Sequence, residues 1–283
     1  GSTEEWNNEA TRNYDGVLEY IDVKSNVLRG ELPRSLHFLS SHLTHLDVSH
    51  NSLDSKIPTT LQSLVELRAL MLSKMGFGDS YPAPDWLASL TELKYLSLQS
   101  LGITGTIPSY FADMDKLILL DLDFNRFSKE IPTVLSTLPE LKYLQINRNQ
   151  LTGNVPPEIV NMPSLTLLTV DNNMLNGTLG PATDANCPIS VMTADCGNEA
   201  FNCPFCEGQA AIDAQQEISC PCCSQCCYDS PDDEDCNLGD WLSLVENDSE
   251  QWRDVRYRRQ EEGINTEGYL YYHRSSNYER ISS

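Results

Sequence analysis

One pattern recurs seven times along this chain, at spacings of 25, 24, 26, 24, 24 and 24 residues, and few folds accommodate such a period. It starts as LEYIDVKSNVLRGELP at Leu18 and LTHLDVSHNSLDSKIP at Leu43. LRALMLSKMGFGDSYP from Leu67 and LKYLSLQSLGITGTIP from Leu93 follow. LILLDLDFNRFSKEIP from Leu117, LKYLQINRNQLTGNVP from Leu141 and LTLLTVDNNMLNGTLG from Leu165 complete the series. The shared form is Leu-x-x-Leu-x-Leu-x-x-Asn-x-Leu-x-Gly-x-Ile-Pro.

Each part of that form has a physical reading. The alternation around the second and third leucines predicts a short strand with one face buried. The Asn position (Asn26, Asn51, Asn125, Asn149, Asn173) turns the chain inward, where a side-chain amide can satisfy backbone groups that would otherwise be buried without partners. Pro in the Ile-Pro step sets φ where no ladder donor is required. Stretches such as SLHFLSSHL and VLSTLPELK then close the coil with further inward leucines. One coil cannot bury its apolar side alone, but stacked coils share a core, at about 1.5–3 kcal/mol per buried aliphatic side chain.

Residues 15–196 resemble leucine-rich repeats, and the Gly-x-Ile-Pro signature resembles their plant-type extracellular branch: receptor-like proteins, receptor-kinase ectodomains and polygalacturonase-inhibiting proteins. The resemblance implies an α/β repeat solenoid, a right-handed leucine-rich repeat coil with a concave parallel β-sheet, plus a disulfide-rich C-terminal cap. It also implies recognition rather than catalysis, no cofactor, and an extracellular or cell-surface location. That branch usually opens with a cysteine-containing cap, whereas residues 1–16 hold Trp6 and no cysteine. They read as an unusual amino-terminal cap or a truncated upstream repeat, and the polar Gly1-Ser2 start as a processed end.

Seven repeats of about 24 residues therefore occupy 17–186, a cysteine-rich cap 187–237, and an acidic, aromatic tail 238–283. Met75 and Leu101 replace the Asn of the third and fourth repeats. Their long connection, with Trp86, reads either as a protruding loop or as an irregular coil with Trp86 packed inward.

The variable strand positions form columns on the concave side. The candidate ligand-binding residues there are Tyr20, Asp22, His45, Asp47, His50, Tyr95, Asp121, Asp123, Phe124, Tyr143, Arg148 and Asp171. Tyrosines on a rigid surface, ringed by carboxylates and a few basic groups, suit a protein or peptide ligand, and their rings could also stack on a glycan. No nucleophile has an obvious claim on the clustered His37, His42, His45 and His50, so no catalytic residue is assigned; His45 and His50 make at most a weak metal or pH-sensing pair. No phosphate loop or zinc-protease helix occurs.

All ten cysteines (Cys187, Cys196, Cys203, Cys206, Cys220, Cys222, Cys223, Cys226, Cys227, Cys236) fall in one block. They allow five disulfides of undetermined connectivity. Zinc on Cys203, Cys206, Cys223 and Cys226 is the rival, but six surplus cysteines and the extracellular style of the repeats favour disulfides, so no metal is assigned. Ile189–Cys196 reads as a degenerate last strand that starts the cap. Thr-Ala-Asp-Cys followed by the Cys-x-Cys-Cys-x-x-Cys-Cys cluster resembles the end of secreted leucine-rich repeat proteins of diatoms and related algae. Asn176 and Asn247 stand in glycosylation sequons.

A formal charge of −22 argues against nucleic acid or an anionic membrane surface as partner. No apolar run reaches the roughly 18–20 residues of a membrane-spanning helix. The acidic run Asp232–Asp235 reads as solvated rather than as a calcium loop. Arg253, Arg256, Arg258 and Arg259 form a basic island among tail aromatics, which suits docking on the solenoid, a partner, or self-association. Two further functional classes stand beside recognition: an inhibitor of a secreted carbohydrate-active enzyme, and a structural surface or matrix protein assembling through its tail.

Overall fold

The computed structural model describes residues 18–53, 57–73, 80–180, 189–195, 218–220, 223 and 225–227. Within them the described coils share one circuit. A three-residue strand leads, as in Tyr20–Asp22, His45–Asp47 and Leu119–Asp121. A turn follows, which among the described residues carries the Asn except in the fourth coil, where Leu101 stands; then come a second strand and a short helical return.

The leading strands form one nine-stranded parallel sheet in chain order, from Tyr20–Asp22 to Gln225–Cys227. The second strands form a six-stranded parallel sheet, from Tyr81–Pro82 through Ile103–Gly105, Arg126–Lys129, Gln150–Asn154 and Met174–Thr178 to Ile218–Ser219. Arg29–Gly30 and Ser52–Leu53 pair separately in the first two coils. Purely parallel pairing follows from the topology, since each strand meets its counterpart one full coil later.

The return is where the structure refines an α/β expectation. Among the described residues, Arg34–Leu39, Thr59–Ser63, Asp85–Ser89, Ser109–Asp113 and Thr133–Thr137 are 3-10 helices, and only Pro157–Val160 is a short α-helix. A coil of about 24 residues must recross its own width in few residues, and the 3-10 helix rises about 2.0 Å per residue against 1.5 Å for the α-helix. The prolines start these turns: the carbonyls of Pro33, Pro58, Pro84, Pro108 and Pro132 accept from the amides of Leu36, Leu61, Leu87, Phe111 and Leu135. Those five acceptors place the next five inward side chains, all buried.

The leucine columns make one continuous core from Ile21 to Ile218, as the repeat predicts. The Asn ladder is also as read. Asn125 Nδ2 donates to the carbonyls of Leu98, Leu122 and Asp123, and its Oδ1 accepts from the amides of Leu101 and Ile103. It thus serves the neighbouring coil that has Leu101 in place of Asn. Asn51 and Asn149 repeat the pattern.

The long connection resolves toward the inward reading over residues 80–89. Tyr81–Pro82 joins the six-stranded sheet, Trp86 packs against the core, and Tyr110 Oη donates to the Pro84 carbonyl at 2.9 Å. The degenerate strand is present as Val191–Asp195, paired with Leu167–Thr169.

The cysteine block contributes more than a lid. Gln225–Cys227 and Ile218–Ser219 extend both sheets by one further coil, which the hydrophobic pattern alone does not announce. Cys220 and Cys223 are joined by a disulfide, with a Cα–Cα distance of 5.5 Å, and both pack against the core. Cys223 is therefore not a thiolate available to the zinc arrangement. The readings of Asp232–Asp235, Asn247, the arginine island and the remaining cysteine pairings lie outside the described residues. No helix among the described residues is long and apolar enough to cross a membrane.

Candidate ligand-binding face

Strand register assembles the variable positions of the nine-stranded sheet into files. Tyr20 and His45 are in register with Ala69, Tyr95, Leu119, Tyr143 and Leu167. The next file runs Asp22, Asp47, Met71, Ser97, Asp121, Gln145, Thr169, Thr193. Side chains facing one another on neighbouring strands lie within about 4.5–5.5 Å at Cβ, close enough to interact.

The two ends of these files differ in exposure. Sequence alone places all of these residues on a solvent-facing surface. Tyr95 is instead 2% exposed, Tyr143 6%, Asp121 0%, Asp123 8% and Asp171 1%. They do not belong to the aliphatic core, since Ala69, Met71, Tyr95, Leu119, Tyr143 and Leu167 are buried yet outside its continuous cluster. Tyr20, Asp22, His45 and Asp47 are half-buried and His50 is exposed. The first two coils thus offer the wetter end of the face.

Several polar members of the middle bond to one another across the sheet. Ser97 Oγ donates to Asp121 Oδ2 at 2.6 Å, and Ser73 Oγ lies 2.5 Å from Ser97 Oγ, so one hydroxyl–hydroxyl–carboxyl chain crosses three coils. Thr169 Oγ1 donates to Asn147 Oδ1 at 2.7 Å, and Thr193 Oγ1 donates to Asp171 Oδ1. Burial, reinforced by the nearby Asp123 carboxylate, pushes the Asp121 carboxyl well above the ordinary carboxylate range. Asp47 is pushed up to about 6, first by desolvation and then by Asp22, with Lys24 and two bonds from Ser49 opposing. Sequence reasoning lists these residues as surface ligands; the Ser/Thr/Asp alternation at a period of 24 to 26 residues was the available sign of a cross-coil chain.

The column after the strand is a turn rather than a strand position. Ser25, His50, Ser100, Phe124, Arg148 and Asn172 all have φ between +52 and +57 degrees. This left-handed region suits Asn or Gly and is unusual for a bulky side chain. Phe124 nevertheless occupies it, 55% exposed, with the Arg148 guanidinium 5.7 Å from its ring centroid. Those two residues form a rim beside the buried files.

The histidines do not converge on one centre. His45 stacks against Tyr20 at 5.2 Å and shares a hydrogen bond with Thr44 Oγ1, His42 contacts Ser41 Oγ, and His37 contacts the Arg34 carbonyl. No group of three or more potential metal ligands occurs among the described residues. Asn176, the first sequon residue, is exposed on strand Met174–Thr178.

Known proteins match this geometry. The leucine rich repeat family models match residues 42–64 and 119–175. Receptor-like protein 43 of Arabidopsis thaliana is 32% identical over 115 residues, 41% of this chain and 15% of the relative. Receptor-like protein 35 of the same plant is 33% identical over 111 residues, 39% of this chain and 11% of the relative. The chain therefore spans a small part of the relatives it matches. Among solved structures, a TDR receptor superposes with a TM-score of 0.57 at 33% identity, over 63% of this chain and 30% of that one. The Arabidopsis receptor kinase HAESA, in complex with the peptide hormone IDA and the co-receptor SERK1, gives a TM-score of 0.54 at 28% identity, over 56% and 26%. PEPR1-AtPEP1 gives 0.52 at 33% identity, over 57% and 22%. The diatom-like character of the cap has no counterpart in these matches.

Proposed function

We propose that this chain of plant-type leucine-rich repeats is a non-enzymatic recognition module, extracellular or on the cell surface, that binds a protein or peptide along its nine-stranded face. The observation that carries this reading is the pair of in-register files. Alternating tyrosines and aliphatic side chains run beside a file of hydroxyls and carboxylates, across consecutive rigid strands. An extended peptide has the same two needs, apolar contact and hydrogen-bond partners at regular spacing. Tyr20, Asp22, His45, Asp47 and His50 offer the accessible end of the face, Phe124 and Arg148 the rim, and Tyr95, Asp121, Asp123, Tyr143 and Asp171 the shielded middle.

Two further facts support the reading. A structurally similar receptor kinase, HAESA, was solved with the peptide hormone IDA bound. The Cys220–Cys223 disulfide and the exposed sequon at Asn176 suit an oxidising secretory route.

The deciding experiment is capture of secreted peptides by the immobilised chain, repeated with Tyr95→Ala/Tyr143→Ala and with the exposed-position variant His50→Ala/Phe124→Ala. Far-UV circular dichroism checks the fold of each. Loss of capture in either well-folded variant supports the face as the site. Undiminished capture in both removes it.

A further inference from the structure

The fifth coil breaks the repeat at one backbone position. Gly30, Gly105, Gly153 and Gly177 fill the Gly of Gly-x-Ile-Pro with φ between +80 and +92 degrees, and in this coil the residue is Lys129, at +73 degrees. A left-handed lysine is strained where glycine is not. Strain retained beside a concavity is a pointer to use.

The concavity is present. A groove of about 540 Å³ runs across the fourth, fifth and sixth coils on the six-stranded side, away from the nine-stranded face. It is a groove open to solvent rather than an enclosed cavity. Lys129 and Glu130 stand in it beside Thr106, Thr133 and Thr152, over Ile131. Gly153 leaves room for the Glu130 stem, whose Cγ lies 3.1 Å from where a Cβ at 153 would be. A side chain at 153 would push that stem away.

We propose that this groove binds a neutral glycan chain. Each sugar hydroxyl both donates and accepts, and the groove supplies a pure donor in the Lys129 ammonium, a pure acceptor in the Glu130 carboxylate, and threonine hydroxyls that do either. Half-buried Pro132, beside buried Ile131, gives the C–H face of a pyranose an apolar contact. A polyanion fits less well, since Glu130 stands beside the cation and the chain carries a net charge of −22.

Calorimetric titration of the intact chain with neutral cello-, xylo- and manno-oligosaccharides, and with oligogalacturonate as the anionic arm, tests the proposal. Saturable binding of a neutral oligosaccharide is expected. Lys129→Gly should weaken it at least about tenfold, the effect of one lost charged hydrogen bond, while raising Tm by about 2–4 °C through relief of strain. Glu130→Gln should weaken it as well, and Tyr95→Ala/Tyr143→Ala should leave it unchanged, which separates this site from the peptide-binding face. No saturable neutral binding, binding only of oligogalacturonate, or unchanged affinity in Lys129→Gly would each overturn it.

Discussion

The two sheets of each coil are built from the same repeat but treat polar groups in opposite ways. On the nine-stranded side, carboxylates and hydroxyls are buried and bonded from coil to coil, as in Ser73–Ser97–Asp121 and Asp171–Thr193. On the six-stranded side, Thr106, Lys129, Glu130, Asn154 and Asn176 stay exposed. The Asn ladder lies between them and is common to both, since Asn125 bonds backbone leaving one sheet and entering the other. The difference teaches that a repeat stores its stability in invariant positions and leaves two unlike surfaces free to vary.

The largest expected effect comes from that shared ladder. Asn125→Ala removes a bond from five buried backbone groups. The Leu122 and Asp123 carbonyls keep bonds from Asn149 Nδ2 and the Ser100 amide, so the loss falls on the Leu98 carbonyl and the Leu101 and Ile103 amides. At about 1–3 kcal/mol for each unsatisfied buried group, with partial relaxation, the loss should exceed about 3 kcal/mol in urea denaturation. Asn26→Ala, at an exposed ladder position whose amide bonds only the Val23 and Lys24 carbonyls, should lose about 1 kcal/mol. Equal losses at the two positions would break the idea that burial, and not the motif, sets the value of the ladder.

A smaller effect should appear with pH. Asp47 has a folded-state carboxyl raised to about 6, with desolvation the first cause. The native state then holds its proton more tightly than the unfolded chain does. Its contribution is fully present below the ordinary carboxylate pKa and is lost as pH rises through about 6. Asp121, also raised, acts in the same direction. Denaturation midpoints followed from pH 4 to pH 7 should therefore show a downward component that Asp47→Asn reduces. An unchanged slope in that variant would show that the file is better solvated than its burial indicates.

The uneven legibility of the sequence has the same origin as the contrast between the sheets. Leucine columns, prolines and the ladder are readable because each must meet one physical demand at a fixed step, and Leu101 could be flagged as an exception. The fate of Tyr95 and Asp121 was not readable. A strand pattern says which way a side chain points, while its exposure depends on what packs over it in three dimensions, which the repeat does not encode. Lys129 was in plain view at the Gly position, but only its φ and the groove around it give the substitution a meaning. The coil added by Gln225–Cys227 has no leucine signature, so the cysteines concealed it.

The smallest effect gives the sharpest comparison, because it lies one residue from the largest. Phe124 holds φ at +55 degrees and is 55% exposed, so Phe124→Asn exchanges a residue disfavoured in that region for the type that tolerates it. The relief is about 1 kcal/mol or slightly more. Against it stands the contact with Arg148, worth about 0.5–1 kcal/mol at an exposed site. The balance should leave stability unchanged or raised by up to about 1 kcal/mol in the same urea assay that registers the loss in Asn125→Ala. A fall of more than about 1 kcal/mol would mean that the ring packs as structure, and the rim would cease to be a surface free to vary. A neutral or positive result with reduced peptide capture would instead show strain kept at position 124 for the ligand, as Lys129 keeps it on the opposite sheet.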